Sequence, residues 1–109
     1  MDKLISITKA LSDENRVRML LLLKNRELCI CRFCQIFKLA ASTVSKHMQI
    51  LKQSGLVKSR KDGKWVYFSL SSPECCDSIK TISSWILKNL ENDDKVKNDQ
   101  KMLNILEGK

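Results

Sequence analysis

Glycine, proline and histidine are scarce in this chain of 109 residues, with three, one and one respectively. Breaks are therefore few, and each one that occurs carries information. No apolar run approaches the roughly 18–20 residues of a membrane span; the longest, Met19–Leu23, is interrupted at once by Lys24. The N-terminal Met-Asp-Lys-Leu-Ile-Ser lacks the apolar stretch and small-residue cleavage site of a secretory leader. A cytoplasmic protein without membrane association is expected. There is no phosphate-binding loop and no Ser/His/Asp set, which argues against an enzyme.

Acidic residues are also in deficit. The formal charge is +8, and residues 41–70 alone hold six basic groups against one acidic, a net +5. Charge concentrated in this way points to one electropositive face for a polyanion. The length suits one domain, and an apolar fraction of 43% is that of a globular protein. Five cysteines could signal a disulfide framework, but the number is odd and three crowd into Cys29-Ile30-Cys31-Arg32-Phe33-Cys34. In a reducing compartment that spacing reads as metal binding or redox chemistry, with burial as small core residues the plainer alternative.

Hydrophobic spacing predicts a helix over 3–11, with Leu4, Ile7 and Leu11 on one side. Ser12 is expected to cap a second helix running to about Asn25, apolar nearly all round and so central in the core. A short helix over 30–38 and another over 42–53, stopping at Gly55, are joined through Leu39-Ala40-Ala41 as in a helix-turn-helix. The period then changes to two, and two strands flank Asp62-Gly63, a type I′ hairpin signal. Ser72 and Pro73 open a further helix with the stripe Ile79, Ile82, Ile86 and Leu90, and Asn92-Asp93-Asp94 breaks it. The expected organisation is a winged helix-turn-helix domain over 1–91, mostly α with a β-hairpin, and a polar tail over 92–109 with a marginal helix.

On a helical wheel of residues 42–53, Val44, Met48 and Leu51 face the core. Ser42, Lys46, Gln49 and Gln53 fall opposite, with Thr43, Ser45, His47 and Lys52 on the flanks. Hydroxyls and amides can hydrogen-bond base edges in a major groove, and lysines hold phosphates. The hairpin adds Lys58, Arg60, Lys61 and Lys64. A short helix, tight turn, polar helix, glycine stop and basic hairpin together point to double-stranded DNA, with His47 as a phosphate or base contact.

Three stretches resemble the ArsR-type winged-helix repressors: Leu11–Arg18, then Ser42–Leu51 continuing through Gly55-Leu56-Val57, and Gly63–Leu70. The resemblance covers about residues 4–90. It implies a homodimer paired through its first and last helices on a palindromic operator. Glu27–Cys34 is similar to the inducer motif of the arsenical-resistance repressors within that family, with Arg32 where the motif carries an acidic residue. It implies that thiolates of Cys29, Cys31 and Cys34 hold arsenite, As(III), or antimonite, Sb(III), as inducer, with no resident cofactor. Cadmium and lead sensors of the family draw further thiols from an N-terminal extension, and residues 1–28 contain no cysteine. Its zinc and nickel sensors use histidines on the dimer helix, and residues 73–91 contain none.

On a regular helix Cys31 and Cys34 share a face, whereas Cys29 and Cys31 lie about 200° apart. Gathering all three on one ion is therefore expected to unwind the helix start, which would couple ligand to DNA release. Cys75 and Cys76 form a candidate second thiol site, open between simple packing, a second metalloid site, part of a cadmium/lead-type divalent site, and a redox or persulfide switch. Three alternatives to the metalloid reading are a thiol redox or persulfide sensor on the same scaffold, a cadmium/lead-type divalent metal sensor using Cys75 and Cys76, and a thiol-rich metal-binding module that reads no DNA.

Overall fold

The computed structural model describes residues 1–71 and 77–108. In chain order it comprises α1 (Asp2–Ala10), α2 (Glu14–Leu22), β1 (Glu27–Cys29), α3 (Ile30–Phe37), α4 (Ala41–Gln53), β2 (Val57–Asp62), β3 (Trp65–Leu70), α5 (Asp77–Leu90) and α6 (Asp94–Leu106). Ser72 and Pro73, expected to open the fifth helix, lie outside the described residues, as do Cys75 and Cys76.

The second helix is capped by Asp13 rather than Ser12. Asp13 is extended and its carboxylate accepts the Arg16 amide at 3.2 Å. Ser12 still belongs to the end of α1, where its hydroxyl donates to the Lys9 carbonyl at 2.7 Å. A side-chain acceptor caps a helix only from the residue just outside it, and that place is Asp13. The apolar run Met19–Leu23 is buried throughout, which makes the C-terminal half of α2 central as expected, while Glu14 in its first turn is exposed. The helix ends at Leu22, and Asn25, at φ 59°, turns the chain into β1.

Lys38, in the left-handed region, and then Leu39 and Ala40 link α3 to α4. Phe33 of α3 and Val44, Met48 and Leu51 of α4 are fully buried, which seats the helix pair on the core. Gly55, at φ 87°, ends α4 as expected.

The sheet is antiparallel in the order β1-β3-β2. Its hairpin register pairs Asp62 with Trp65, so the turn centre is Gly63-Lys64 and not Asp62-Gly63. Only Gly63 of this pair has positive φ, 63°. A glycine first and an ordinary residue second is the pattern of a type II′ turn, which corrects the type I′ expectation. The third strand, β1, was not expected; three residues are too short to show alternation.

Residues 94–106, expected as part of a polar tail, form a 13-residue helix capped by Asp93, whose carboxylate accepts the Lys95 amide at 2.9 Å and the Val96 amide at 3.2 Å. It packs on α2 and α3, with Val96 and Leu103 buried. Among the described residues no helix is long and apolar enough to cross a membrane.

Candidate nucleic-acid interface and thiol cleft

The alternation that buries Val44, Met48 and Leu51 leaves Ser42, Thr43, Ser45, Lys46, Gln49 and Lys52 exposed along α4. These short hydroxyls, amide and ammonium groups form one solvent-facing surface. His47, assigned with them, is only half-buried, and its Nδ1 lies 3.2 Å from Nη1 of Arg16. Arg16 is a buried cation on α2 that sequence reasoning passed over. The available signal was position: Arg16 stands three residues before Met19 and four before Leu20, on the face that buries both.

The wing cations divide into two sets. Lys61 and Lys64 are exposed and have no acidic partner among the described residues. Lys64 also lies 5.5 Å from the Trp65 ring centroid. Arg60 is engaged otherwise: its Nε donates to both Glu27 oxygens, at 3.0 and 2.9 Å, and its Nη2 makes a further short contact with Oε1. Its guanidinium also lies 4.8 Å from the Tyr67 centroid. The hydrogen bonds from Arg60 hold the Glu27 carboxyl below its ordinary value, and Glu27 in turn raises Arg60. Arg60 thus ties the wing to β1. Sequence reasoning missed Glu27 because nothing local marks a partner 33 residues away.

Cys29 stands at a junction, as the last residue of β1 and the N-cap of α3, with extended dihedrals (φ −85°, ψ 164°). The helical wheel therefore does not apply to it. Its sulfur meets that of Cys31, and the two are bonded as a disulfide with a Cα separation of 5.4 Å. This corrects the expectation that Cys29 and Cys31 point in opposite directions until the helix unwinds; the change of backbone at Ile30 already brings them together. Cys34, one turn further along α3, is a free half-buried thiol.

All three cysteines line one cleft of about 430 Å³. Its other walls are Lys64, Trp65 and Val66 of the wing, with Ala41, the first residue of α4, and Ile30 completing it. Among the described residues no three Cys, His, Asp or Glu side chains are arranged to hold a metal ion. Arg32, between the thiols in sequence, turns away toward α6 and donates to Gln35 at 3.1 Å and the Leu106 carbonyl at 3.5 Å.

The apolar face expected to pair two chains is also redistributed. Ile7, Ile79 and Ile86 are buried within the protomer, while Leu4, Ile5 and Trp85 are 57%, 56% and 65% exposed.

The family model described as "Bacterial regulatory protein, arsR family" matches residues 13–59, from the α2 cap into the wing. An uncharacterized HTH-type transcriptional regulator of Methanocaldococcus jannaschii is 34% identical over 82 residues, 74% of this chain and 92% of its own. The chain belongs to the ArsR family. Its members are transcriptional regulators, so this ArsR chain is a regulator and not an enzyme, and its winged helix-turn-helix is the fold expected from sequence. The arsenical resistance operon repressor of Escherichia coli (strain K12) is 41% identical over 68 residues, which span 62% of this ArsR chain and 58% of that repressor's length. Among solved structures, reduced HlyU from Vibrio cholerae superposes with a TM-score of 0.65 at 29% identity, covering 80% of this chain and 87% of that one.

Proposed function

We propose that this ArsR-family regulator is a homodimeric repressor that grips operator DNA through α4 and the wing and is released when arsenite or antimonite is taken up by Cys29, Cys31 and Cys34. The observation that carries the reading is the shared cleft: the three cysteines, the wing and the first residue of α4 border one space. An arsenic atom entering it touches thiols on one side and DNA-facing elements on the other. The 41% identical E. coli relative is named for arsenical resistance, which supports the choice of ligand.

The chemistry balances as arsenous acid plus three thiols giving an arsenic trithiolate and three waters, so the cysteines must first be reduced. Cys29 and Cys31 already converge at the strand–helix junction. Closing the set then asks Cys34, at the second turn of α3, to move toward them. That motion strains α3 against α4, and ligand and operator favour different states. A shift from 1:99 to 99:1 requires about 5.5 kcal/mol of differential affinity.

A second reading is favoured by one specific observation, the Cys29–Cys31 disulfide. In it an organic peroxide oxidises the two thiols to the disulfide, yielding an alcohol and water, and the oxidised form releases DNA. Operator anisotropy separates the two. Release by arsenite without oxygen and with excess reductant supports the metalloid reading; release by peroxide alone supports the redox reading.

A further inference from the structure

Arg16 makes three contacts from its buried position, 9% exposed, on α2. Nε donates to the Ala10 carbonyl at 3.0 Å and Nη2 to the Lys9 carbonyl at 2.9 Å, two acceptors at the C-terminal end of α1. Nη1 lies 3.2 Å from His47 Nδ1 on α4. With two of its N–H groups held by α1, the planar guanidinium has no freedom to turn from the imidazole. One cation thus links a helix outside the helix-turn-helix to the helix that faces DNA.

The proton arrangement at this contact follows from donor inventory. A guanidinium carries five N–H groups and no acceptor. Nδ1 must therefore accept, because a proton on it would set two N–H groups against each other. In a neutral imidazole the remaining proton sits on Nε2. Among the described residues no protein group bonds to Nε2, and no buried side-chain nitrogen or oxygen lacks a partner, so Nε2 reaches solvent. It does so on the helix that also exposes Lys46 and Gln49.

We infer that Arg16 is a positioning residue for the operator face: it fixes His47 as the Nε2–H tautomer, so that the ring offers DNA a neutral hydrogen-bond donor. The inference rests on α4 being the DNA-reading helix. The acceptor is an oxygen or nitrogen of the DNA, on a base edge or on a phosphate. Arg16 itself touches no nucleotide. Its role is to stop His47 presenting a bare acceptor, which would repel the electronegative edges and phosphates it meets.

Two amides mimic the two ring nitrogens separately. Glutamine places an N–H donor where Nε2 lies, whereas asparagine places an acceptor where Nδ1 lies and nothing beyond. Operator binding by fluorescence anisotropy should fall about three- to tenfold in His47→Asn, the worth of one lost hydrogen bond, and be largely restored in His47→Gln. Loss confined to operator sequence identifies a base acceptor; equal loss on scrambled DNA identifies a phosphate. Imidazole ¹⁵N shifts of the unmodified protein should show the Nε2–H form, with mixed tautomers in Arg16→Met. Should that variant fail to fold, the unmodified protein and the two amides still decide the matter. Nδ1–H in the unmodified protein, or equal binding by the two amide variants, overturns the inference. Gln49→Ala is the control. If it weakens binding while His47→Asn does not, only the His47 inference falls. If neither changes binding, the assignment of α4 as the reading helix falls with it.

Discussion

Arg18 of α2 grips Asp99 of α6 with two parallel hydrogen bonds, Nε to Oδ2 at 2.8 Å and Nη2 to Oδ1 at 2.7 Å. Eighty-one residues separate the partners in sequence. The same guanidinium lies 4.6 Å from the Phe37 ring centroid and donates to Asn15 at 3.2 Å, so it joins α2, α3 and α6 at one point. Asp99 is 5% exposed, and a carboxylate there is tolerable only because it is paired.

Removing one member of such a pair leaves the other buried and unsatisfied. Asp99→Ala should therefore destabilise the chain by about 2–3 kcal/mol, measured by urea unfolding. Replacing both partners, Arg18→Met with Asp99→Leu, should recover much of that loss. A change under about 0.5 kcal/mol in Asp99→Ala would put the ion pair among those of no consequence to stability.

This pair also explains why α6 was hard to read. Asn92-Asp93-Asp94 has the composition of a break, and it is one, but Asp93 is at the same time the N-cap of the next helix. The inward stripe Val96, Asp99, Leu103 carries a carboxylate in its middle, which weakens the apolar signal until the distant arginine is known. The helix-turn-helix and wing were legible because their signals are local: Val44, Met48 and Leu51 at helical spacing, Gly55 at the exit, and a glycine turn between alternating strands. The Cys29–Cys31 direction escapes the helical wheel for a related reason. Pairing of β1 with β3 sets Cys29 opposite Tyr67 and holds it extended, and no spacing within 27–34 reveals that partner.

Acid should loosen the wing before it unfolds the core. The Glu27 carboxyl is held below its ordinary 4.5 by hydrogen bonds from Arg60, so the folded state favours its ionised form. A depressed carboxyl contributes stability that is present above about 4.5 and is lost as pH falls through the lower, folded value. Glu27→Gln should lack this component. Thermal melts of the two proteins should differ above about 4.5 and converge as pH falls through the lower, folded value, where Glu27 loses the charge that the glutamine never had. Parallel pH profiles would show that the Glu27–Arg60 contact does not bias folding.

The pairing surface is expected on the side chains the protomer leaves open. Leu4, Ile5 and Trp85 are exposed, whereas Ile79 and Ile86 are already spent on the protomer core. Leu4→Glu with Trp85→Glu should thus give a folded monomer, because a charge forced into a dimer contact costs several kcal/mol while one facing water does not. Ile79→Glu should instead unfold the chain. Sedimentation and circular dichroism distinguish these results, and a stable dimer in the Leu4/Trp85 variant would place the interface elsewhere.

The cysteines can be told apart by which chemistry each is needed for. Serine nearly keeps the shape of cysteine but supplies no thiolate, so operator binding should survive in Cys29→Ser, Cys31→Ser and Cys34→Ser. Cys29 and Cys31 are bonded to each other and Cys34 is free. A disulfide switch needs only the first two, whereas a trithiolate of arsenic needs all three. Cys34→Ser should accordingly raise the arsenite required for half release by at least about tenfold, one lost ligand bond at about 1.4 kcal/mol or more, and leave any peroxide response unchanged. Cys29→Ser and Cys31→Ser should weaken the arsenite response at least as much and abolish the peroxide response, and Cys75→Ser with Cys76→Ser should spare both. The measurement is operator anisotropy for each variant, titrated with arsenite under reductant and with peroxide without it. Normal arsenite release by the Cys29/Cys31 double variant, with loss in the Cys75/Cys76 variant, would move the sensing thiols out of this cleft altogether.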